Sequence, residues 1–161
     1  ENFRQFRSGA EANYLYGRAQ AAWTCRLPGT WALRTGGQFQ LGTGALLPTE
    51  QLAMGGHSSV RGFGEREYLA DRGYTVSTEV RAPAMRLPVG GEVQFLGFVD
   101  HGRGWRDEPM QGGVGERETL TSAGVGVRLQ LGKYFKLRAD LGVPLGGGDG
   151  SKAHIGVTGA F

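Results

Sequence analysis

Apolar and polar residues alternate along most of this chain. Between 119 and 131 the odd positions read Thr119, Thr121, Ala123, Val125, Val127, Leu129 and Leu131, and the even positions Leu120, Ser122, Gly124, Gly126, Arg128 and Gln130. A period of two puts successive side chains on opposite faces of a strand, so one face here is apolar and the other small or charged. The next run repeats it, with Phe135, Leu137, Ala139, Leu141, Val143 and Leu145 set against Lys136, Arg138, Asp140 and Gly142. Pro144 falls late in that run, where a missing ladder donor is tolerated. The same pattern runs through 15–27, 31–41, 74–82, 92–102 and 154–161, with Leu96 and Phe98 interrupting the polar side of 92–102. This predicts seven strands, with residues 1–7 as a candidate end of an eighth.

Most of these runs are long enough for a tilted strand of about nine residues to cross a bilayer. The connections alternate strictly: 28–30, 86–91 and 132–133 are short, and 46–73, 103–117 and 146–153 are long. Transmembrane barrels pair short periplasmic turns with long extracellular loops, which makes the carboxyl end of this chain periplasmic. The competing expectation is a soluble antiparallel sandwich with one wet face. Its strands usually run to about five or six residues. The predicted class is therefore all-β, an antiparallel transmembrane β-barrel.

Composition narrows the alternatives. The 161 residues fit one domain, and the 30 glycines lack a collagen repeat. With 20% charged and 39% hydrophobic residues, disorder is not expected. A formal net charge of +3, without a basic cluster interleaved with aromatics, argues against nucleic acid. Cys25 is the one cysteine, so neither an internal disulfide nor a cysteine-based zinc site is expected, and it reads as a small apolar strand residue. The opening Glu1-Asn2-Phe3-Arg4 carries no apolar signal-peptide core, so no leader is expected there. No apolar run approaches the roughly 20 residues of a transmembrane helix. The negative mean hydropathy is compatible with a barrel, whose strands hide their apolar residues at every second position.

Loop 46–73 is too long to be a plain connection. Met54, Val60, Phe63, Tyr68 and Leu69 are more apolar residues than a solvated loop carries, and Gly55, Gly56, Gly62 and Gly64 permit tight turns. A packed hairpin folded back into a barrel lumen fits both features. Arg61 is its natural anchor, because a guanidinium is a rigid fork of donors for carboxylates. Asp100 and Glu79 are candidate acceptors on the inward, polar parity of their strands. Taken by itself, without the rest of the motif, Arg61 reads as a solvated loop arginine.

These residues carry a family resemblance. Leu47-Pro48-Thr49-Glu50-Gln51, Gly55-Gly56, Val60-Arg61-Gly62-Phe63 and Glu79-Val80-Arg81-Ala82-Pro83 together resemble the carboxy-terminal barrel of the two-partner secretion transporters. These are the haemolysin-activator and filamentous-haemagglutinin-transporter type, in the superfamily that includes the BamA insertase. Phe98-x-Asp100-x-Gly102 is similar to the partner motif on a nearby strand of that superfamily. The resemblance covers about residues 12–161 and implies that Arg61 and Asp100 meet inside the barrel. It further implies a barrel of about sixteen strands, preceded by POTRA domains and a plug helix, of which this chain supplies the last seven to eight strands. An eight-stranded barrel has room only for its own side chains. The expectation is thus that residues 1–161 are the carboxy-terminal part of an outer-membrane barrel. A missing amino-terminal half, or a second copy, would complete it. Phe161, in register with Ile155 and Val157, resembles a carboxy-terminal signal for the outer-membrane assembly machinery, although a strand can also simply end on an aromatic residue.

The implied function is a pore in the bacterial outer membrane, in contact with its lipid, that exports a large exoprotein such as a haemolysin or adhesin. Arg18, Arg34, Arg128, Lys136 and Arg138 then read as a basic lumen wall. The alternative is an insertase of the same superfamily, and a passive porin would leave the Arg61–Asp100 pairing without a purpose. Enzymatic activity is not expected. Asp100 and His101 point to opposite faces, His57 with Ser58 or Ser59 lacks a Gly-x-Ser-x-Gly elbow, and no His-Glu-x-x-His helix is present. No cofactor is expected: the histidines are scattered, and no phosphate-binding loop occurs.

Overall fold

The computed structural model describes residues 14–88, 90–107, 117–146 and 150–159. Phe161, the other residues beyond 159, and residues 1–13 lie outside the described residues. In chain order the strands are β1 (Tyr16–Arg26), β2 (Ala32–Gly42), β3 (Leu52–Met54), β4 (Tyr68–Ala70), β5 (Arg72–Arg81), β6 (Met85–Arg86), β7 (Glu92–Trp105), β8 (Arg117–Leu131), β9 (Phe135–Pro144) and β10 (Lys152–Gly159). The long strands form one antiparallel meander in the order β1-β2-β5-β7-β8-β9-β10, with β6 also paired to β7, while β3 and β4 form a separate hairpin. Among the described residues β1 and β10 are the outermost strands of this sheet and do not pair with each other.

The strand ends differ from the sequence expectation where chemistry intervenes. β5 stops at Arg81 because Pro83 has no N–H for the ladder. Ala82 still donates to Phe95 O at 2.9 Å, and pairing resumes with Met85 opposite Val93. At the other end β7 runs on to Trp105 and β8 begins at Arg117, so this hairpin stands taller than the alternation alone indicates. The turn between β1 and β2 is closed by Leu27 N donating to Trp31 O at 2.8 Å, with Gly29 at φ 70° in the left-handed region that glycine enters without penalty.

The sheet is apolar on the outside. Trp23 is 61% exposed, Val125 61% and Ile155 76%, and Phe39, Leu41, Phe95, Val99, Leu141 and Val143 share their face. Each such side chain left in water forgoes about 1.5–3 kcal/mol. A continuous apolar sheet face of this size is matched to lipid. The inward face is polar, and Gln40, Thr75, Glu79, Asp100, Ser122 and Asp140 are buried on it. What buries them is loop 46–73, which lies against the inner face. Leu52 and Met54 from β3, Tyr68 and Ala70 from β4, Val60 and Phe63 from the tip, and Leu120 from β8 form a small apolar core there.

Candidate functional site

The tip of the loop is built by short local bonds. Gly55 and Gly56 take φ of 95° and 91°, and Ser59 Oγ donates to Gly55 O at 2.8 Å. Glu65 closes the turn by accepting from His57 N at 2.8 Å. That amide, against slight desolvation and with help from the His57 ring, holds the Glu65 carboxyl below its ordinary range. The tip therefore presents Val60, Arg61, Gly62 and Phe63 to the sheet as a rigid unit.

Arg61 is 2% exposed and uses its whole donor set. Nε and Nη2 form a fork on Asp100, at 2.8 Å to Oδ2 and 2.9 Å to Oδ1, and the Arg61 backbone N donates to the same Oδ2 at 3.0 Å. Nη1 donates to Glu79 Oε1 at 2.7 Å and, longer, to Asp140 Oδ1 at 3.4 Å, while Nη2 also reaches Ser77 Oγ at 2.9 Å. The guanidinium carbon lies 3.5 Å from the Phe98 ring centroid, a stacked cation–π contact shielded from water. His154 on β10 closes the other side, with Nε2 2.9 Å from Arg61 O. A buried charge is tolerable only with such compensation.

Backbone proximity supports the clasp. A Cβ on Gly62 would sit 2.5 Å from Ser122 Cβ and 2.9 Å from Pro144 N, and one on Gly142 would sit 2.5 Å from Arg61 O. Gly102 leaves the seat for Met54 and Val60, each 3.2 Å from where its Cβ would be, and Gly124 leaves room for the Phe98 ring. The structure thus brings Arg61, Phe98, Asp100 and Glu79 into one contact, with Gly62 and Gly102 as close-approach positions. Val60 and Phe63 belong to the adjoining apolar core.

Ser77, Asp140 and His154 are partners that sequence reasoning missed. The available signal for Asp140 was a lone carboxylate among Lys136, Arg138 and Arg128 on the inward parity. Arg128 pairs with Asp140 at 2.9 Å, Arg138 pairs with Asp140 at 2.5 Å, and Arg81 pairs with Glu79 at 2.6 Å. Arg138 also reaches His57 O at 2.6 Å, and Arg18 holds Gln40 Oε1 at 2.8 Å. Three of the five residues expected to form a basic wall are therefore engaged in internal contacts.

A second cluster ties down the loop base. Asp71, fully buried, accepts from Leu46 N at 2.8 Å, Gln51 Nε2 at 3.1 Å and Asp107 N at 2.6 Å. Gln40 Nε2 donates to Glu50 O at 3.0 Å and Asp71 O at 3.2 Å, and Tyr16 bonds the Glu50 carboxylate. Between the tip and the inner face of β1 and β2 lies a polar recess of about 620 Å³, lined among others by Gln20, Arg34, Gln38, Ser58 and Thr75. Among the described residues no group of three or more His, Cys, Asp or Glu is placed to hold a metal.

A sheet that is apolar outside and polar inside, with turns short at one end and long at the other and a loop pinned to its inner face, is a segment of a transmembrane β-barrel. The chain belongs to the haemolysin secretion/activation protein family ShlB/FhaC/HecB, whose model matches residues 4–129. The outer membrane transporter CdiB of Dickeya dadantii (strain 3937) is 45% identical over 58 residues, a stretch amounting to 36% of this chain and 10% of that transporter. The solved structure of CdiB from Escherichia coli has the same fold over 92% of this chain, with a TM-score of 0.75 at 22% identity, and the matched part is 28% of that chain. The chain thus spans less than a third of the transporters it matches.

Proposed function

We propose that this chain is the carboxy-terminal part of an outer-membrane pore that exports a large exoprotein, of the haemolysin or adhesin kind, by two-partner secretion. Family membership and the outward apolar face support the outer-membrane location, and the family favours secretion over the insertase alternative. Strands β1 and β10 join further strands of a barrel of about sixteen. Its interior then has the width to hold loop 46–73.

The observation that carries the reading is Arg61, 2% exposed and clasped by Asp100 on β7, Glu79 on β5 and Asp140 on β9. The clasp holds the loop in the lumen, and its release is a step in opening a path for the exoprotein. Arg61→Ala in the full-length transporter is expected to reduce exoprotein release into the medium. Outer-membrane level and the gel shift of the folded barrel should stay normal. Undiminished release by an assembled variant would remove the loop from the mechanism.

A further inference from the structure

The outward face of β5, β7 and β8 changes character toward the long-loop end. The registers place Arg72, Trp105 and Arg117 in one row, Tyr74, Arg103 and Thr119 in the next, and Val76, His101 and Thr121 in the third. Beneath them come Thr78, Val99 and Ala123, and then the face turns fully apolar with Val80 and Val125 flanking Gly97. Among the described strand residues, Arg72, Arg103 and Arg117 are the arginines or lysines with outward parity, and all lie in the two rows nearest the long loops. One carboxylate among the described residues meets them: Asp107, 2.7 Å from Arg72 Nη2. Arg103 stacks 5.2 Å from the Trp105 ring, and its Nε is buried without a hydrogen-bond partner among the described residues. His101 is held by Thr121 at 2.8 Å and lies 5.9 Å, ring to ring, from Tyr74.

We propose that this patch binds the phosphate-bearing headgroup of a lipid in the outward-facing leaflet. The orientation rests on the outer-membrane reading given above. Arginine forks match phosphate oxygens, and tryptophan and tyrosine favour the headgroup level of a membrane. The height of the patch distinguishes a lipid from a free anion. The arginines stand above the apolar belt, separated from it by the His101 row, and the belt holds a recess of about 550 Å³ lined by Val80, Phe95, Gly97, Val125, Leu141 and Ile155. A Cβ on Gly97 would have Gly124 O, at 3.9 Å, as its nearest neighbour, so the missing side chain leaves a depression for an acyl chain two rows below His101. Headgroup and tail of one molecule would therefore be met on the same strands.

The test uses the full-length transporter in detergent, with bis-phosphorylated lipid A as the probe. Native mass spectrometry should retain that lipid in preference to its dephosphorylated form. At about five-fold per surface arginine, the triple variant Arg72→Gln, Arg103→Gln, Arg117→Gln should bind it roughly 100-fold more weakly. Equal retention of the two lipids would overturn the proposal. So would unchanged affinity in the triple variant, or displacement by equimolar inorganic phosphate, which would mark a simple anion site. If the triple variant fails to assemble, the comparison of the two lipids on the unaltered protein decides alone. Lipid retention reports on the outer face and Arg61→Ala secretion on the inner one, so either reading can fail without the other.

Discussion

The two ends of loop 46–73 are fastened by opposite means. At the tip, charge meets charge, and two of the three carboxylates around Arg61 have arginines of their own: Glu79 has Arg81, and Asp140 has Arg128 and Arg138. Withdrawing Arg61 strands chiefly Asp100. At the base, the Asp71 carboxylate meets backbone amides of Leu46 and Asp107, and removing it orphans buried main-chain donors. The difference teaches which end can come apart inside an intact barrel. The tip can leave with most of its cage still neutralised, whereas the base is part of the wall's own hydrogen bonding.

The largest expected break in this comparison is Arg61→Ala. Leaving Asp100 buried and unpaired costs about 3–5 kcal/mol of tip docking. In a Cys25→Ser background, labelling of Val60→Cys by a membrane-impermeant maleimide should then rise on the order of a hundred-fold or more, with barrel melting nearly unchanged. Unchanged labelling would mean that charge does not hold the tip. Gly62→Ala tests the same docking without touching a charge. Its methyl group meets Ser122 and the backbone at Pro144, an overpacking cost of about 1–3 kcal/mol, and labelling should rise in proportion. Asp71→Asn should show the reverse signature, lowering barrel melting through a loss of about 1–3 kcal/mol while raising tip labelling less than Arg61→Ala does. Ser77→Ala is the mildest. It removes one acceptor of Arg61 Nη2, about 0.5–1.5 kcal/mol, and should raise labelling only several-fold.

The long strands are legible in the chain because a period of two needs nothing but neighbours in sequence. Asp100 is legible for the same reason, as a carboxylate on the inward parity of an otherwise apolar segment. Asp140 is not, because it lies 79 positions from Arg61 and nothing local distinguishes a carboxylate that neutralises Arg128 and Arg138 from one that also faces a loop. Strands β3 and β4 are three residues each, too short for alternation to register, and only their pairing reveals them. Asp71 precedes Arg72 at a strand start and reads as an ordinary loop residue. Its burial depends on Leu46, Gln51 and Asp107 arriving from elsewhere. Gly62 and Gly142 are two glycines among many until the loop and β9 are brought into contact.

The carboxylates around Arg61 stand on β5, β7 and β9, and β8 between them presents Ser122 to Gly62. A slip of one residue anywhere along this run would turn a needed side chain toward the lipid. The loop can therefore seat only on a wall whose neighbouring strands are all in register. Arg61 thereby inspects the assembled sheet, and a docked tip certifies that four strands were laid in register.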